Sequence, residues 1–95
     1  MEQLTSQQRV DLKSVLPPER IKDRLIDRYA YASDASHYYL VPLVVVQPVD
    51  EHEVAGLLRW SREHQLPVTF RSGGTSLSGQ GVTDKVLADL SNHWR

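Results

Sequence analysis

Ninety-five residues with 11 basic and 12 acidic side chains, a net charge of −1 and no cysteine bound what this chain can be. That length fits one domain at most, and a chain of this size buries roughly 60–65% of its unfolded surface, so its core is thin. The even charge balance excludes a basic nucleic-acid face, the missing cysteines exclude disulfides and thiolate-held zinc or iron–sulfur clusters within the chain, and no apolar run approaches the ~20 residues of a membrane-spanning helix.

The N-terminal stretch MEQLTSQQRVDLK has neither the basic start nor the apolar centre of a signal peptide, so a cytoplasmic location is expected. Residues 1–17 are polar with scattered apolar positions and read as a short helix or a mobile arm. From Pro18, PERIKDRLIDRYAYA predicts an amphipathic helix with Ile21, Leu25, Ile26 and Tyr29 on one stripe. Proline suits the first helical turn, and Glu19 complements the positive helix N-terminus. SDASHYY, Ser33 to Tyr39, then reads as a loop or turn, its Asp and Ser side chains bonding to nearby backbone.

Leu43 to Val46, an uninterrupted apolar run between Pro42 and Pro48, predicts a strand buried on both faces, as in parallel sheets. Asp50 with Glu53 predicts a capping box, and Val49 with Val54 a hydrophobic staple. The helix they open extends to about His64 with Val54, Leu57 and Leu58 on its apolar face; Trp60 lies off that stripe, at a sheet edge or facing a partner. Val68 to Arg71 predicts a second strand with Val68 and Phe70 on one face, Thr69 and Arg71 on the other. Strand, helix and strand in so short a span make a βαβ unit, hence parallel strands. Val86 to Leu90 is a third strand. One such unit and an added strand leave edges and an apolar face uncovered, which predicts an incomplete domain.

FRSGGTSLSGQG, Phe70 to Gly81, packs four glycines and four hydroxyl side chains after the second strand. Ordering glycine is costly in entropy, so the segment is either a slack connection or a loop held by a ligand. Gly73 and Gly74 allow successive backbone N–H groups to converge on one anion, Thr75, Ser76, Ser78 and Gln80 add donors, and Arg71 adds a fixed positive charge. No acidic residue stands between Arg71 and Thr83. A pyrophosphate requires these features, at the carboxyl end of a parallel strand where open α/β sheets bind ligands. The segment lacks the lysine of a P-loop and the G-x-G-x-x-G spacing of a Rossmann turn. His37, His52, His64 and His93 stand in no paired ligand spacing, so no metal site is expected.

The span VVVQPVDEHEVAGLLRWSREHQLPVTFRSGGTSLSGQGVTDKVLADLS closely resembles the N-terminal FAD-binding segment of the FAD-linked oxidases, the vanillyl-alcohol-oxidase or PCMH-type superfamily. YASDASHYYLVPLVVVQP upstream resembles the segment leading into the first strand in the D-lactate and glycolate dehydrogenase branch. The resemblance implies an α+β fold, with a helical arm over residues 1–28 and a partial FAD-binding domain over 29–95. It implies that Arg71, Ser72, Gly73, Gly74, Thr75, Ser76 and Leu77 line the diphosphate of FAD and that Ser78, Gly79 and Gln80 close the loop. Thr75 stands where some relatives carry a flavin-linking histidine, so the resemblance implies noncovalent FAD. Gln65 replaces a frequent glycine and implies a left-handed backbone there, at a cost of about 1 kcal/mol.

By the same resemblance the parent reaction oxidises a small 2-hydroxy acid, with hydride passing to the flavin. Its catalytic residues lie downstream in relatives, and none is assigned here. The parent enzyme is expected in the cytoplasm or peripheral to the inner face of the membrane. Expected partners are FAD and either the remainder of a flavoprotein or a second copy pairing through open sheet edges. Two alternatives stand beside this reading. One is a non-catalytic fragment or interaction module that self-associates without flavin; the other is a reductase of the cell-wall-precursor type, which SDASHYY and RSGGTSLSGQ disfavour.

Overall fold

The computed structural model describes residues 3–35, 38–71 and 85–90. Thr5 opens α1 (Ser6–Lys13) with a reciprocal capping box: its hydroxyl accepts from Gln8 N–H, and the Gln8 side chain accepts from Thr5 N–H. A 3₁₀ turn (Pro18–Arg20) leads directly into β1 (Ile21–Lys22), and α2 covers only Leu25–Ala30. A hairpin follows, β2 (Ser33–Ala35) antiparallel to β3 (Tyr38–Leu40). Then come β4 (Val44–Val46), α3 (Glu51–His64), β5 (Val68–Arg71) and β6 (Val86–Asp89).

The main sheet has the order β1-β4-β6-β5, with β1 antiparallel and the other three strands mutually parallel. This is the α+β, mixed-sheet architecture expected of a partial FAD-binding domain. β4 and β5 are parallel as the βαβ pattern predicts, yet they are not neighbours: β6 pairs with both. The strand buried on both faces is borne out, because Val44, Val45 and Val46 are wholly buried.

Strand alternation divides the sheet into two faces. One carries Val44, Val46, Val86 and Ala88, which pack with Leu57 and Trp60 of α3 and with Leu4, Leu12 and Leu16. The N-terminal segment is therefore part of the core, its leucines wholly or almost wholly buried. The opposite face carries Val45 and Leu87, also fully buried.

Four sequence expectations are corrected. The helix predicted from Pro18 breaks, because Ile21 pairs with Val46 in the sheet and Gln47 N–H donates to Arg20 C=O. An unpaired backbone edge beside β4 would cost more than the helical turn it replaces. The remaining stripe, Leu25, Ile26 and Tyr29, is left exposed in the short α2. On α3 the buried face carries Leu57 and Trp60 rather than Leu58, which is exposed. Trp60 faces α1, not an edge or partner, and its indole N–H donates 2.9 Å to Gln8 C=O. Where a loop or turn was expected, Ser33–Ala35 and Tyr38–Leu40 pair as antiparallel strands.

The predicted capping box of α3 is half realised. Asp50 Oδ1 accepts from Glu53 N–H at 2.9 Å, but Glu53 Oε1 reaches past Asp50 to Val49 N–H. Gln65 ends α3 with φ 56° and ψ 42°, the left-handed conformation its position implied. No helix among the described residues is long and apolar enough to cross a membrane.

Candidate functional site at the carboxyl edge of the parallel strands

β4, β6 and β5 end side by side at Val46, Asp89 and Arg71. Val45, Leu87 and Thr69 share one row of the register, and Asp89 and Arg71 face each other two residues further on. Gln47 follows β4 directly and by alternation belongs to the same face. An amide just past β4, a carboxylate at the end of β6 and a guanidinium at the end of β5 thus lie on one face of the sheet.

Tyr31, the residue that closes α2, is brought over this row. Its hydroxyl donates 2.7 Å to Asp89 Oδ2 and lies 3.4 Å from Gln47 Nε2. The Arg71 guanidinium sits over the Tyr31 ring, 5.7 Å from its centroid, within cation–π range. Asp89 is almost wholly buried, and a buried carboxylate requires such donors. Burial, then the bond to Asp89 and its negative charge, push the Tyr31 phenol up to about 12; the Gln47 bond and Arg71 pull weakly the other way.

Two ties hold the frame. The Arg20 guanidinium grips Glu53 through both nitrogens at 2.5 and 2.6 Å, while Arg20 C=O accepts from Gln47 N–H. The N-terminus of α3 is thereby joined to the end of β4. On the other side Leu90 N–H donates 2.8 Å to Arg71 C=O, extending the β5–β6 pairing to the point where the chain leaves β5. Arg71 therefore starts the glycine loop from a fixed backbone.

Of the residues the sequence marked as a diphosphate cradle, Arg71 is described and stands at this edge. Ser72, Gly73, Gly74, Thr75, Ser76, Leu77, Ser78, Gly79 and Gln80 lie outside the described residues. Sequence reasoning missed Gln47, Asp89 and Tyr31. A signal for the first two was present: Gln47 and Asp89 are the polar positions that interrupt VVVQP and VLADL. Tyr31 gave none, because its partner lies 58 positions away.

A family model described as "FAD binding domain" matches residues 42–95. The chain belongs to the FAD-binding domain family. The match takes in β4, α3, β5, β6 and the glycine loop, and leaves Tyr31 outside. D-2-hydroxyglutarate dehydrogenase of Pseudomonas putida is 39% identical over 69 residues, covering 70% of this chain and 7% of that protein. The protein of the same name from Escherichia coli is 34% identical over 70 residues, again 70% of this chain and 7% of its own length. D-lactate dehydrogenase of Archaeoglobus fulgidus is 46% identical over 39 residues, 41% of this chain and 9% of that protein. The chain thus spans less than a tenth of each of these relatives.

FAD is the cofactor of this family. Arg71 offers a cation at the base of the loop, and the Asp89 carboxylate beside it already accepts the Tyr31 hydroxyl.

Proposed function

We propose that this chain holds the diphosphate of noncovalently bound FAD in a flavin-dependent oxidoreductase acting on a small 2-hydroxy acid. The observation that carries the proposal is Arg71, anchored through its carbonyl at the end of a parallel strand and followed at once by the glycine loop. In this reading Arg71 neutralises part of the diphosphate charge. Ser72 through Gln80 surround the rest with backbone N–H and hydroxyl donors, and Gly73 and Gly74 permit the close approach. Bound flavin supplies the two-electron chemistry, while the protein positions and tunes it. The substrate class is supported by two relatives, a D-2-hydroxyglutarate dehydrogenase and a D-lactate dehydrogenase, which both oxidise D-2-hydroxy acids.

Titration with FAD and with riboflavin tests the diphosphate assignment. FAD should bind and riboflavin, which has no diphosphate, should bind far more weakly. Gly74→Trp should abolish the difference. Equal affinity for the two flavins would remove the diphosphate from the proposal.

A second reading is favoured by a separate observation. Leu25, Ile26 and Tyr29 expose 50, 71 and 43% of their surface on one short helix, and Phe70 exposes 38% on the edge strand β5. Such surface supports self-association or docking to the remainder of a flavoprotein. Sedimentation of the chain with and without Ile26→Asp distinguishes the cases: a wild-type monomer at all concentrations would exclude self-association.

A further inference from the structure

Arg71 is the last residue of β5, directly before the glycine loop, and its guanidinium lies over an aromatic ring contributed by a part of the chain outside the family match. We propose that Tyr31 is the positioning residue for Arg71: its ring, pinned through its hydroxyl to Asp89, is the platform that aims the guanidinium at the ligand of the loop. The inference rests on the diphosphate reading for the identity of that ligand, and on geometry alone for the platform.

A long arginine side chain surrenders considerable rotamer freedom when it closes on an anion. A guanidinium held over an aromatic ring by cation–π attraction keeps its N–H groups directed at oxygen acceptors rather than at the ring. Part of the ordering cost is thus met before a ligand arrives. The platform must itself be immobile, and three contacts make it so. Tyr31 N–H donates 3.2 Å to Arg28 C=O at the end of α2, its hydroxyl donates to the buried Asp89, and Gln47 Nε2 donates 3.4 Å to that hydroxyl. Asp89 in turn is paired in register with Arg71, so ring, carboxylate and guanidinium are referred to one pair of strands.

The test compares wild type, Tyr31→Phe and Tyr31→Leu in the full 95-residue chain. Two readouts are required: NMR of the Arg71 side chain, and titration with FAD. A guanidinium over a ring carries upfield-shifted side-chain resonances; these should persist in reduced form in Tyr31→Phe, which keeps the ring but loses its pin, and vanish in Tyr31→Leu. FAD affinity should fall about 3- to 10-fold in Tyr31→Leu, the range of a partly exposed cation–π contact. Tyr31→Phe, which keeps the ring without its pin, should bind FAD more tightly than Tyr31→Leu even though it also lowers the melting temperature. A purely structural tyrosine would instead make affinity follow melting temperature through both variants, and that result overturns the inference. So does a wild-type Arg71 without ring-shifted resonances. Should wild type bind no FAD, the flavin reading falls, while the resonances still decide the platform.

Discussion

The Tyr31 hydroxyl and the Asp89 carboxylate meet at 2.7 Å across 58 positions of sequence, tying the end of α2 to the end of the central strand. Burial first, and then the bond and the Asp89 charge, favour the protonated phenol and raise it to about 12 from an ordinary value near 10. The folded state therefore holds its proton more tightly than the unfolded chain. Stability from this pair is fully present below pH ~10 and is lost as pH rises towards 12. Tyrosinate absorbance at 295 nm should show a component near pH 12 that disappears in Tyr31→Phe. Loss of only a component near pH 10 would contradict the bond.

Arg20 and Glu53 form the second tie, with side chains 18 and 14% exposed. Partial burial places their worth between that of surface and fully buried pairs. Glu53 also accepts from Val49 N–H, so Glu53→Ala removes an ion pair and a backbone acceptor together. Urea unfolding should show a loss of about 2–3 kcal/mol for Glu53→Ala. Arg20→Met combined with Glu53→Gln should cost about 1 kcal/mol or more less than the two single losses added. Simple additivity would mean that the pair contributes nothing.

Gly56 lies inside α3, where glycine costs about 1 kcal/mol relative to alanine. A Cβ at this position would stand 2.9 Å from Val15 Cγ1, and a β-branched side chain has little freedom to move away. Gly56→Ala should therefore destabilise by about 1 kcal/mol despite the gain in helix propensity. In a Val15→Ala background the same substitution should stabilise. An unchanged sign in both backgrounds would separate Gly56 from the packing of the N-terminal segment.

Gln65 holds a left-handed backbone at the end of α3, with Leu66 N–H bonded 2.9 Å to Ser61 C=O. Glycine meets no Cβ penalty there, although it loosens the unfolded chain. Gln65→Gly should raise stability by about 0.5–1 kcal/mol, read as a higher urea midpoint at constant slope.

Where local chemistry was decisive, the sequence was legible. Asp50 caps α3, the valine run is a strand buried on both faces, Val68 to Arg71 is a strand, and Gln65 turns left-handed. Each depends on a residue and its near neighbours. The reading from Pro18 failed because Ile21, Leu25, Ile26 and Tyr29 fit a helical stripe equally well whether or not β4 needs an edge partner. Trp60 looked misplaced because the α1 segment that covers it was not expected in the core.

Short spacing and composition committed this chain to a parallel βαβ unit and a glycine-rich segment after its second strand, and resemblance to a family over a longer span added the cofactor class. Only the tertiary structure could insert β6 between β4 and β5, and so bring Gln47, Asp89 and Arg71 to one edge beneath Tyr31. Strand order is fixed by which apolar faces can be buried together and which backbone groups can be paired. Both are properties of the whole packed chain, and neither is carried by a segment of it.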